Sequence, residues 1–256
     1  MTPVEILTEL SQGHERLPRQ ALEAALAQRS EIAPLLLENL SQTVAEVEAL
    51  AAGGYESRKV KRFLKNPSPL FFGVFLLADW RETAAYRAFA RLMRFPFVSH
   101  DNLLGEPAVE EPAYRIMARL FDGDPQPIFD IVLDDDAITS ARFWQFSALA
   151  LIGFEGRVDR KVIREFARRA FERLPRDPEE WLIWSGWEKL IAQLALRDLA
   201  PLVRQAHQAD LLVESEYEDF ERDLAYAEAH PQAPCSPGNE IEAFAGVSEV
   251  ETWVGG

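Results

Sequence analysis

The run Trp181-Leu182-Ile183-Trp184-Ser185-Gly186-Trp187-Glu188-Lys189-Leu190-Ile191-Ala192-Gln193-Leu194 leads into Arg197-Asp198-Leu199-Ala200-Pro201-Leu202-Val203-Arg204, and this passage decides the fold. Ile183, Trp187, Leu190, Ile191 and Leu194 recur every three or four positions, which places them on one face of an α-helix. A tight turn bearing Asp198 follows, and then a second, more charged helix. Neither apolar face is stable in water alone, so each helix must pack on a neighbour.

The same pair recurs along the chain. Residues 70–79 lead into 81–94, 112–121 into 124–133, and 141–153 into 158–174, with junction aspartates at Asp79, Asp122, Asp159 and Asp198. A helix-pair period of about 40 residues marks HEAT or armadillo-like arrays. The expected fold is therefore all-α: an α-solenoid of HEAT/armadillo-like helix pairs, capped by helices within residues 3–52. The expected layout is one helical repeat domain over 1–230 and an acidic, partly flexible C-terminal tail over 231–256.

Composition agrees. The 256 residues include 34 Ala, 31 Leu and 28 Glu, all good helix formers, and alternating strand-like stretches are nearly absent. Thr2-Pro3-Val4-Glu5 reads as a capping box with proline at the first helical position. Asp124-Pro125 and Asp177-Pro178 repeat the idea, and Asp159 and Asp198 read as further caps. Helix stops are expected near Gly53-Gly54, Asp122-Gly123 and Gly153 to Gly156.

The longest apolar run, Leu70 to Ala78, is far shorter than the roughly 20 residues a bilayer span requires, and reads as one buried helix. The N-terminus has no basic cluster before an apolar core, so neither a signal peptide nor a membrane association is expected, and the expected compartment is the cytoplasm. The formal charge of −15 excludes a generally basic nucleic-acid binder. Most of that charge is at one end: residues 210–256 hold twelve acids against Arg222 alone. With one cysteine, Cys235, neither an internal disulfide nor a thiolate-rich metal site can form.

Leu17-Pro18-Arg19-Gln20-Ala21-Leu22-Glu23-Ala24-Ala25 and Ile32-Ala33-Pro34-Leu35-Leu36-Leu37-Glu38 resemble the opening of a bacterial domain-of-unknown-function family numbered 1186. Leu76-Leu77-Ala78-Asp79-Trp80-Arg81-Glu82 and Phe121-Asp122-Gly123-Asp124 resemble two later family stretches, so the likeness covers about residues 1–225. The resemblance implies a HEAT-like α-solenoid and brings no catalytic residues. Some relatives end in a cysteine-rich zinc motif. Here Pro234-Cys235-Ser236-Pro237-Gly238 carries a single thiol, so no such metal site is expected.

Other candidate chemistry is sparse. Asp122, Asp124 and Asp130, with Asp134-Asp135-Asp136, invite a calcium reading but lack the calcium-loop spacing; capping and a solvated loop account for them. Ser99-His100-Asp101 contains three catalytic residue types, but adjacent side chains do not form a relay in a regular element. Gly53-Gly54 has no strand before it and is no phosphate loop. Catalytic, cofactor and metal residues are accordingly expected to be absent.

The segment Arg157 to Arg176 carries eight cations against three acids. Arg157, Lys161, Arg164 and Arg168 share one helical face opposite the apolar stripe of Ile163, Phe166, Ala170 and Leu174. Such a strip fits an acidic peptide, or nucleic-acid phosphates as a rival, beside the plainer reading of a solvated face. A second basic cluster, Arg58, Lys59, Lys61, Arg62 and Lys65, reads as a polar connector. Trp187 and Trp184 read as core, and Trp181 as a candidate interface anchor. The function expected is a non-enzymatic interaction scaffold or adaptor for a protein or peptide. A nucleic-acid-associated factor using 157–176 is the first rival, and an enzyme with a site near His100 the second. The acidic tail is a candidate to fold back over the basic helix.

Overall fold

A computed structural model describes residues 1–13, 16–52, 58–96, 98–99, 103–233, 235–236 and 239–254. Among them every regular element is helical. Gly53-Gly54 and Ser99-His100-Asp101 lie outside the described residues, apart from Ser99. The chain divides into two units, residues 1–122 with 244–256, and residues 123–243.

In the first unit α1 (Pro3–Leu10) opens as the capping box requires: the Thr2 hydroxyl accepts from the Glu5 amide, and the Glu5 carboxylate accepts from the Thr2 amide across 2.8 Å. It packs on α2 (Arg19–Ala27), and the long α3 (Arg29–Ala51) and short α4 (Arg58–Phe63) follow. All nine residues from Leu70 to Ala78 in α5 (Leu70–Asp79) are buried, so this helix is apolar all round because it is enclosed all round. It packs against α3 and against α8 (Glu111–Leu120), which is reached through α6 (Tyr86–Leu92) and α7 (Gly105–Val109). No described helix is long and apolar enough to cross a membrane.

The second unit begins with α9 (Gln126–Val132), whose first amide is held by the Asp124 carboxylate at 3.0 Å. Next come α10 (Thr139–Phe154), α11 (Arg160–Arg173) and α12 (Trp181–Gln193). The turn after α10 closes through Gly156, at φ +70°, with the Arg157 amide reaching back to the Ile152 carbonyl across 2.9 Å. α10 lies closely along α12, because Gly186 has no side chain at the contact: a Cβ there would sit 2.8 Å from the Phe146 ring and 3.0 Å from that of Phe143. Trp184 and Trp187 are fully buried, and their indole N–H groups donate to the carbonyls of Pro175 (2.8 Å) and Ala167 (2.7 Å). α13 (Ala200–Gln208) and α14 (Tyr217–Ala229) complete the unit, with α14 packed along α12.

The chain then returns to the first unit. Phe244 and Val250, the latter opening α15 (Val250–Trp253), are buried. The Trp253 ring stacks on Phe75 at 5.7 Å, the Val247 amide donates to Asp79 at 3.0 Å, and Arg115 pairs with Glu249 at 3.3 Å. The described end of the acidic tail is therefore packed against α5 and α8.

Helices form where the periodicity places them, but the four junction aspartates do not share one role. Asp159 caps α11 through the Lys161 amide, Asp79 accepts from Val247, and Asp122 pairs with Arg87 at 2.8 Å. Asp198 does not cap: Leu196 opens the turn at Arg197–Leu199 without a side-chain bond, and the Asp198 carboxylate faces Arg168 and Arg164 instead. Within the triple aspartate, Asp135 is more than a solvated loop residue. It pairs at 3.1 Å with Arg142, whose side chain is almost wholly buried.

Candidate functional site

The basic face of α11 forms as its spacing requires. Ile163, Phe166, Ala167 and Ala170 are buried, which turns Lys161, Arg168 and Arg173 outward and leaves Arg164 half-buried. Many of the cations are already engaged. Arg157, just before the helix, lies 3.2 Å from Glu155; Arg168 reaches Glu165 (3.4 Å) and Asp198 (3.3 Å); and the Arg164 Nε is 3.5 Å from Glu165 and 3.9 Å from Asp198, beyond hydrogen-bond contact. Arg169 covers the stacked rings of Phe129 and Phe166, and Arg176 covers Phe171 and Trp184. Lys161 and Arg173 have no side-chain partner among the described residues.

Trp181 is half-buried and forms a wall of a cavity of about 330 Å³ between α12 and α14. The cavity follows from one stripe of α12. Trp181, Ser185, Glu188 and Ala192 are spaced four, three and four residues apart, and the short Ser185 and Ala192 side chains leave room beside the indole. Leu212, Ser215 and Phe220 close the opposite side.

Glu188 is the floor of this cavity and is only 5% exposed. One carboxylate oxygen lies 2.7 Å from His207 Nε2, and the other accepts from the Ser215 hydroxyl at 2.9 Å. Burial pushes the Glu188 carboxyl above the ordinary carboxylate range, and the bonds to His207 and Ser215 oppose that shift. Behind it the His207 ring meets Tyr217 edge-on at 5.7 Å. The Tyr217 hydroxyl donates to Glu221 at 2.5 Å, and Arg197 bridges Glu221 and Glu228. Those bonds, the one from Tyr217 foremost, hold the Glu221 carboxyl below its usual range.

Cys235 is outside the lining of this cavity. It is buried and accepts from the Ile241 amide, and burial pushes its thiol up to about 11, away from thiolate chemistry. His100 and His14 lie outside the described residues. Among the described residues no three His, Cys, Asp or Glu side chains converge to hold a metal ion.

A family model described as a protein of unknown function (DUF1186) matches residues 1–229. The chain belongs to this family. Relatives of the DUF1186 chain include an uncharacterized protein of Chlamydia muridarum (strain MoPn / Nigg), 24% identical over 221 residues, with 82% of this chain and 79% of that one covered. An uncharacterized protein of Chlamydia trachomatis serovar D is 24% identical over 197 residues, covering 74% and 68% of the two chains. No solved structure matches. The family match ends where α14 ends, so it includes Glu188, His207 and Ser215 and leaves out the packed segment 244–254.

Proposed function

We propose that this protein is a cytoplasmic interaction scaffold or adaptor, with its helix pairs arranged as a HEAT-like solenoid, and that it binds the acidic face of a protein or peptide along α11. The supporting observation is an imbalance of charge. Among the described residues Lys161, Arg164, Arg168 and Arg173 share only Glu165 and Asp198 as carboxylate partners, and Lys161 and Arg173 have none. The exposed Val162 lies beside Lys161 and supplies apolar contact area. Stacked helix pairs suit this work because each pair extends one binding surface.

The nucleic-acid reading relies on the same cations, and salt separates the two. Phosphate binding through several arginines falls steeply and linearly on a log scale as salt rises. Titration of the purified chain with an acidic peptide and with a DNA duplex, each at 50 and 200 mM salt, tests the proposal. Binding of the peptide and not the duplex supports the scaffold reading. Steeply salt-dependent duplex binding that is lost in Arg164→Ala/Arg168→Ala transfers the surface to nucleic acid, and binding of neither removes both.

The enzyme reading rests on a different observation. The neighbourhood of His100 lies outside the described residues, and among the described ones the Glu188 cavity is where polar groups converge.

A further inference from the structure

Ser215, Glu188 and His207 stand in the order that covalent acyl transfer uses: a hydroxyl within hydrogen-bond reach of a base, and the base held from behind by a third group. The relation is one of geometry and roles, and unrelated folds reach it with different residue types. We propose that the α12–α14 cavity is an acyl-transfer site in which Ser215 is the nucleophile, Glu188 the general base and His207 a positioning residue, acting on a small ester. The proposal adds an activity to the scaffold reading and is independent of it, because it uses no residue of α11.

Three further features converge on it. The cavity is of the size that takes a small ligand, roughly 300 Å³ and above, and Trp181, Leu212 and Phe220 give it one apolar wall for a short acyl chain, facing the charged Lys189, Asp219, Arg222 and Asp223. Glu188 is enclosed, and its burial raises the affinity for a proton, the direction a general base needs to work near neutrality. Ser215 lines the cavity two residues before α14 begins, so its hydroxyl is reached from the same space as Trp181 and Phe220.

The chemistry balances with water as the only co-reactant. The Ser215 oxygen attacks the acyl carbon while its proton passes to Glu188, which forms the new C–O bond. The old ester C–O bond then breaks, and the departing alcohol takes that proton. Water attacks the acyl-serine carbon, its proton passes to Glu188, and the Ser215 oxygen leaves and recovers a proton. The products are a carboxylic acid and an alcohol. His207 only fixes the Glu188 oxygen that faces away from Ser215.

The test exposes the full-length chain to a fluorophosphonate probe and maps the labelled residue by mass spectrometry, alongside hydrolysis of p-nitrophenyl acetate. The expected result is a label on Ser215. The label is lost in Ser215→Ala and slowed at least about 100-fold in Glu188→Gln, which keeps the shape and one acceptor oxygen but cannot take the proton. Circular dichroism of Ser215→Ala and Glu188→Gln equal to that of the wild-type chain shows that the fold survives substitution there. His207→Gln shifts the pH profile of labelling without moving its site. No label on the wild-type chain, a label on another residue, or an unchanged rate in Glu188→Gln overturns the proposal. Each of those outcomes leaves Glu188 as a pin between α12, α13 and the loop before α14. None of them bears on peptide binding at α11.

Discussion

Asp198 and Arg168 form an ion pair across the α11 face, with the Asp198 carboxylate 3.3 Å from one guanidinium nitrogen and 3.9 Å from the Nε of Arg164. A residue placed in the sequence to cap a helix therefore acts as counter-ion to the preceding helix. Exposed pairs of this kind contribute about 0.2–1 kcal/mol. Asp198→Asn is accordingly expected to leave the melting temperature within a few degrees of wild type. It is also expected to strengthen binding of an acidic peptide up to about fivefold, the same free energy expressed as affinity. Calorimetric titration of both proteins checks this; weaker binding by the variant contradicts it.

Glu188 gives a pH prediction with a definite sign. Its carboxyl is raised in the folded chain, chiefly by burial, so the folded state holds that proton more tightly than the unfolded one. Its contribution to stability is complete below the unfolded value, near 4.5, and is lost as pH rises through the higher folded value. Glu188→Gln, permanently neutral, is expected to gain stability relative to wild type as pH rises from 4 to 8. Paired urea melts across that range measure the difference. A difference that is flat or that runs the other way shows that the folded-state shift is absent.

Gln145 is fully buried in α10, and neither its amide oxygen nor its nitrogen has a hydrogen-bond partner among the described residues. An orphaned buried polar group costs about 1–3 kcal/mol, so Gln145→Met, close in shape and without the amide, should stabilise the second unit by a similar amount. A chemical denaturation midpoint that rises with unchanged slope is the expected outcome. A fall in the midpoint shows that the amide is satisfied in solution.

The segment Phe244–Trp253 is acidic in composition yet is anchored by buried apolar residues. Phe244 is 3% exposed and Val250 is fully buried, while the Trp253 ring stacks on Phe75 and lies under Arg115. Removal of two such buried side chains usually costs several kcal/mol, about 2–5 for each. Truncation after residue 243 should therefore lower the stability of the first unit and raise amide exchange in α5. Unchanged exchange in α5 sinks this account of the tail.

Much of the helical framework was legible because its signals are local. The spacing of Ile183, Trp187 and Leu190 marks α12, the Thr2–Glu5 box marks the start of α1, and Asp159 and Asp177 cap within two residues of themselves. What stayed hidden depends on distant partners. Asp198 reads locally as a cap, but its cations lie 30 and more residues earlier and compete with the local amides. Glu188 passed as a charge in an apolar run, since its partners are 19 and 27 residues further on. One signal was present: short Ser185 and Ala192 share a helical face with Trp181 and Glu188, a pattern that leaves a polar hollow. The tail was read by its charge, while the positions of Phe244, Val250 and Trp253 decide its packing against residues more than a hundred positions away.

Charge reversal on α11 tests the central claim most directly. The affinity of the purified chain for a polyglutamate peptide is measured by fluorescence anisotropy for wild type and for Arg164→Glu/Arg168→Glu, with circular dichroism confirming equal helicity. Binding through this face predicts a loss of at least tenfold in the double variant and none in a control reversal of Arg58 and Lys59 on α4. Equal affinity of wild type and double variant contradicts it.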